Sequence, residues 1–170
     1  MYEALLEEAR QKGLTVIEKY PFCSPRIRGL FCDDTIALNA EIDSQAERTQ
    51  ILCEELAHAD RTVGNILQDP QQERRAREQS FDRLISPEGL IDAFLGGCRE
   101  SWEFAEHLGV TESFLQSAMA SYRARFGVLK KVHFNGTDYA IGFEPRLSVK
   151  KWNPPTRRKL YTKMQKEQQQ

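Results

Sequence analysis

Residues 50–66, QILCEELAHADRTVGNI, carry Glu54, Glu55 and His58 in the frame of the metal-binding motif HExxH, with glutamate at the first position. On a helix, residues four apart lie one above the other, so Glu54 and His58 are spaced to grip one metal ion together. Glu55, one step round, stands where that motif keeps the general base that takes a proton from metal-bound water. The same residues also suit a plain solvated helix face, since Glu and His are ordinary surface residues.

The surrounding pattern predicts an active helix over about 44–63. Ser44 followed by Glu47 reads as a capping box, each side chain satisfying a backbone N–H of the first turn. Leu52, Leu56, Ala59 and Val63 recur at helical spacing as one apolar stripe, and Gly64 is a natural stop. Glu54 and His58 then sit mid-helix on the flank of the buried stripe, where a pair of ligands would be held rigidly.

Glu73 supplies a third carboxylate. It lies in QERRAREQSFDRLISP, residues 72–87, where a second helix is predicted from about Gln71 after a short link. Three protein ligands would leave a fourth position open for water, as in catalytic zinc sites. Equally, an acidic residue in a first helical turn is favoured by the helix dipole alone.

Taken together, these segments resemble the ImmA/IrrE family of metallopeptidases, in particular its short phage and mobile-element members. The matching stretches are ILCEELAH (51–58), TVGNI (62–66), ERRA (73–76) and LISP (84–87). Upstream, GLFCDDTIALN (29–39) is similar to the family's strand pair before the active helix. Downstream, FAEHLGVT (104–111) through Tyr122 is similar to its helical C-terminal part. The likeness covers roughly residues 1–127. It implies a zincin-like fold and a zinc-dependent endopeptidase or protease-like regulator acting on a helix-turn-helix repressor of a prophage or mobile element. By position, Glu54, His58 and Glu73 would be the metal ligands and Glu55 the general base. The chain departs from the family in having Glu54 in place of histidine and Ala57 where glycine is common. Two hard oxygen ligands and one nitrogen hold zinc less tightly than two histidines and a glutamate, and make manganese a second candidate.

A chain of 170 residues, 40% hydrophobic and 29% charged, predicts one globular domain with a proper core. The N-terminus MYEALLEEAR lacks the basic and apolar regions of a signal peptide, and no stretch has the length of a membrane span. The expectation is a cytoplasmic protein without membrane contact. Cys23, Cys32, Cys53 and Cys98 have no CxxC spacing and are expected to be reduced thiols.

Charge is unevenly distributed. Residues 146–170 hold eight Lys or Arg against one acid, a balance of +7, while the other 145 hold sixteen against twenty-four, a balance of −8. Such a tail, poor in large apolar residues, is expected to be disordered. It would serve solubility, or make weak nonspecific contact with nucleic acid.

The remaining elements follow from local signals. A helix is predicted over 2–12 with Gly13 as its stop, then strands near 14–18, 27–32 and 35–39, the last two joined at Asp33-Asp34. Ser86-Pro87 starts a helix that stops at Gly96-Gly97. Residues 102–108 and 112–125, joined through Gly109, have helix-turn-helix spacing. Glu103, Glu106 and Glu112 leave that motif few donors for phosphates, so it reads as a packing or partner-binding element. Asn135-Gly136 signals a hairpin. The predicted architecture is therefore α+β: a zincin-like domain over 1–127 with a small N-terminal sheet and a mostly helical body, a hairpin extension over 128–145, and the basic tail. Two other functions stay open, a metal-free relative that inactivates its repressor by docking and a DNA-binding regulator. No residue can be assigned to stabilise an oxyanion; Tyr122 and Tyr139 are available.

Overall fold

The structure is a computed structural model that describes residues 1–60 and 70–153. Its α+β architecture begins with helix α1 (Tyr2–Gln11) and a sheet of β1 (Thr15–Tyr20), β2 (Gly29–Cys32) and β3 (Thr35–Asn39). Five helices follow: α2 (Gln45–Ala59), α3 (Pro70–Leu84), α4 (Pro87–Leu95), α5 (Ser101–Leu108) and α6 (Glu112–Phe126). A second sheet, β4 (Leu129–Phe134), β5 (Thr137–Gly142) and β6 (Ser148–Lys151), closes the described chain. Among the described residues no helix is long and apolar enough to cross a membrane.

The first sheet has the order β1-β3-β2, with β1 parallel and β2 antiparallel to the central strand. Asp33 and Asp34 both take positive φ, 46° and 56°, and so close the β2–β3 hairpin in the twist that two-residue turns favour. Because side chains alternate across a strand, register decides which residues face the helices. Val16, Ile36 and Phe31 form one row across the inner face, and Leu38 pairs with Gly29 in the next. Ile36 and Leu38 are fully buried, while Ile17 and Leu30 on the outer face remain exposed.

Helix α2 packs beneath this sheet. Ser44 accepts the Glu47 backbone N–H at 3.4 Å, so one half of the predicted cap forms. The Glu47 carboxylate turns instead to Arg28, at the entry to β2. Leu52 and Leu56 enter the core as expected, joined by Ile51, Cys53 and Ala57. The helix closes at Ala59 with Asp60 as its C-cap. Its predicted last turn to Val63, the Gly64 stop and the link to the next helix lie outside the described residues.

An ion-pair network ties α1 to the two helices that carry the candidate site. Arg83 of α3 pairs with Glu8 of α1, and Lys12 reaches both Glu8 (2.8 Å) and Asp60. Arg83 draws the Glu8 carboxyl down from 4.5 to about 2, Lys12 adding to this against partial burial.

Helices α3 to α6 share their core with the second sheet. Ser86 caps α4 through the Gly89 N–H at 2.9 Å, with Pro87 in its first turn. Asn135 and Gly136 both adopt positive φ, giving the predicted hairpin. Tyr139, Ile141, Phe143 and Val149 belong to the same buried cluster as Phe104, Leu115 and Tyr122. The hairpin within 128–145 packs on the helical body through Tyr139, Ile141 and Phe143. One sequence expectation needs correction here. The expected disordered tail starts too early at residue 146, because Ser148–Lys151 pair with β5 and bury Val149. Cross-strand hydrogen bonding and one core valine outweigh the basic composition there. Residues 154–170 lie outside the described chain.

Candidate functional site

The four residues singled out in the sequence come together where α2 meets the start of α3. Glu54, Glu55 and His58 project from α2, and Glu73 stands in the first turn of α3. His58 Nε2 lies 3.3 Å from Glu73 Oε2. The imidazole is 18% exposed and the Glu73 carboxylate 55%, so the group sits at the surface end of a mostly buried helix.

A fifth residue joins them. Arg77 follows Glu73 by one helical turn on α3. Its Nη2 is 3.4 Å from Glu73 Oε1, and its Nε is 3.7 Å from Glu54 Oε1. Both oxygens of Glu73 are therefore engaged, one by imidazole and one by guanidinium. Only half of this could have been anticipated. A Glu and an Arg four apart on one helix are a standard pair, whereas the reach across to Glu54 depends on how α2 and α3 pack.

The electrostatics separate the two adjacent glutamates. Burial raises the Glu54 carboxyl above the usual range; Arg77 opposes this and the charge of Glu73 reinforces it. At Glu55 burial is the main cause, the charges of Glu54 and Glu73 add to it, and the carboxyl rises from 4.5 to about 8. A hydrogen bond from the Phe31 backbone on β2 works the other way. The close approach of β2 makes that bond feasible: a Cβ on Gly29 would lie 2.4 Å from Ile51 Cγ2 and 2.8 Å from Glu55 Oε1.

As they stand, no three of His, Cys, Asp and Glu among the described residues are arranged to hold a metal ion. Two carboxylates and an imidazole nevertheless meet in one network, in which both carboxylates face the Arg77 guanidinium.

The other residues considered from sequence lie elsewhere. Tyr122 donates its hydroxyl to the Ile85 carbonyl at 2.6 Å in the core, and Tyr139 is buried on β5. The two histidines other than His58 also stand apart from this group, His107 lying 3.4 Å from Asp92 and His133 2.7 Å from Asp138. The turn at Gly109 is left-handed, as helix-turn-helix spacing requires, but α6 buries Phe114, Leu115, Ala118, Met119 and Tyr122. All four cysteines are free. Burial pushes the Cys53 thiol to about 12, which makes it inert.

No protein-family model, no curated protein and no solved structure matches this chain.

Proposed function

We propose that this chain is a metal-dependent endopeptidase of zincin type that acts on a helix-turn-helix repressor of a prophage or mobile element. The observation that carries this reading is the contact of His58 with Glu73 between α2 and α3, with Glu54 joined to Glu73 through Arg77 and Glu55 beside them on α2. Glu54, His58 and Glu73 would hold zinc, or manganese. Bound there, the ion would supply Lewis-acid activation of water and of the scissile carbonyl.

Glu55 has the properties of a general acid–base group. Burial and the charges of Glu54 and Glu73 raise its carboxyl in the metal-free protein, and a cation bound to those two carboxylates would bring it down again. The Phe31 N–H orients it from the edge strand, and α2 holds it next to Glu54 without a flexible linker. In this role Glu55 takes a proton from the attacking water and returns it to the leaving amine. The substrate class rests on the resemblance of residues 51–87 to the ImmA/IrrE family.

A second reading, a metal-free module that inactivates the repressor by docking, is favoured by the Arg77 contacts with Glu54 and Glu73. Metal content separates the two. Protein purified without chelators should carry close to one equivalent of zinc or manganese, and less than about a tenth of an equivalent of any divalent metal would sink the enzyme reading.

A further inference from the structure

We infer that the outer face of the second sheet binds single-stranded nucleic acid, with Trp152 as a stacking platform for a base and Lys131 and Lys150 as phosphate contacts. None of these residues belongs to the α2–α3 contact, so the inference stands apart from the endopeptidase reading.

Cross-strand register brings the three side chains together. Lys131, Ala140 and Lys150 lie directly opposite one another on β4, β5 and β6. The rows on either side carry Ile141 with Val149, and Tyr139, all buried against the helical body. Because successive residues point to opposite faces, the lysine row faces away from the core. Trp152 follows Lys150 by two residues and extends the ladder, its N–H donating to the Asp138 carbonyl at 2.7 Å. Its indole therefore shares the lysine face, and Lys131 Nζ stands over the ring, 4.0 Å from its centre.

The charge of this face is positive and not internally neutralised. Asp138, in the next row, is taken by His133 at 2.7 Å, and Glu144 by Arg123 at 2.9 Å. Among the described residues neither Lys131 nor Lys150 has an ion-pair partner. Residues 128–153 hold five Lys or Arg against two acids, a balance of +3, whereas residues 1–127 hold fourteen against twenty-two, a balance of −8. Basic charge is thus gathered on the second sheet of an otherwise acidic body. An aromatic ring flanked by lysines matches an unpaired nucleotide, which offers a π-face and a phosphate together. An acidic protein surface would meet the lysines and leave the indole without a role. A duplex has phosphates but keeps its bases in the stack, out of reach of the ring. A base that stacks on Trp152 takes the place Lys131 now holds, and the released ammonium moves to the adjoining phosphate.

The test is binding of a fluorescein-labelled oligothymidylate to the full-length protein at low salt, followed by anisotropy and by tryptophan emission. The chain has two tryptophans, and Trp102 is 57% exposed, so a Trp102→Phe background leaves Trp152 as the only reporter. Binding should quench it. Lys131→Gln with Lys150→Gln should weaken binding about tenfold and flatten the slope of log affinity against log salt by about 1.4, two contacts at about 0.7 each. Trp152→Leu should also lose about tenfold but keep the salt slope. Both lysines are exposed, so the double variant provides the reading should Trp152→Leu not fold. Arg157→Gln, Arg158→Gln and Lys159→Gln together remove charge beyond the sheet, and Trp152 quenching should persist in that variant. No binding, binding without quenching, or undiminished binding by the lysine double variant would overturn the inference. Loss of quenching in the 157–159 variant would overturn it by placing the contact beyond the sheet. A DNA duplex of equal length, or polyglutamate, binding as tightly as oligothymidylate would overturn it by reducing the surface to charge alone.

Discussion

Glu55 accepts a hydrogen bond from the backbone N–H of Phe31, which joins the candidate base on α2 to the edge strand of the first sheet. Gly29, two residues earlier on that strand, leaves the space in which the Glu55 side chain runs. Helix, strand and carboxylate are therefore one mechanical unit, and changes in any of them should be felt at the others.

The raised carboxyl of Glu55 has a consequence for stability. A group that titrates near 4.5 unfolded and near 8 folded binds more protons in the native state between those values. Its contribution is fully present below about pH 4.5 and is lost as pH rises toward 8. For the metal-free protein, Glu55→Gln should match wild type near pH 4.5 and exceed it above pH 8. After discounting for partial exposure, the gap is on the order of 3 kcal/mol. Denaturant melts at several pH values check this; parallel pH profiles for the two proteins would show that Glu55 is solvated.

Gly29→Ala should be costly although β2 is an edge strand. The added methyl would press on Ile51 and on Glu55 Oε1, so a loss of about 1–3 kcal/mol is expected. The Glu55 titration, followed by carboxyl NMR, should shift in the same variant. An unchanged melt would mean that β2 rides further from α2 than described.

Acid should unlock the α1–α3 tie. The Glu8 carboxyl is lowered from 4.5 to about 2 by Arg83, so its contribution is present above about pH 4.5 and disappears as pH falls toward 2. Glu8→Gln should cost about 2 kcal/mol at neutral pH, Glu8 being 26% exposed, and flatten the acid limb of the stability profile. An undiminished acid limb in the variant would assign the loss to other carboxylates.

Strand β6 makes a clear distinction between two truncations. Ending the chain at Pro145 removes the β5–β6 ladder, the buried Val149 and the 2.7 Å bond from the Trp152 N–H to the Asp138 carbonyl. The expected loss is roughly 2–3 kcal/mol, or about 6 °C in melting temperature. Ending it at Asn153 keeps all three features. Melting curves that coincide for the two truncations would place β6 outside the cooperative unit.

What could be read from the sequence was what local geometry dictates. Four-residue spacing on α2 put Glu54 and His58 on one face, and Asp33-Asp34, Asn135-Gly136 and Ser86-Pro87 marked two turns and a helix start. Contacts between distant segments could not be read in this way. Arg77 meets Glu54 only because α2 and α3 pack side by side. Gly29 matters because of Ile51 and Glu55 on another element. In Ser148–Lys151 a single valine carries the apolar signal of a strand, and flanking lysines concealed it.

The central claim is that Glu55 moves the proton in peptide-bond hydrolysis, and replacing it tests this most directly. Wild type and Glu55→Gln, each incubated with zinc, would be mixed with a purified helix-turn-helix repressor of the proposed class, and cleavage followed by intact-mass spectrometry. The account predicts equal metal content and a rate lower by about 10²–10⁴-fold in the variant. Undiminished cleavage by Glu55→Gln would contradict it.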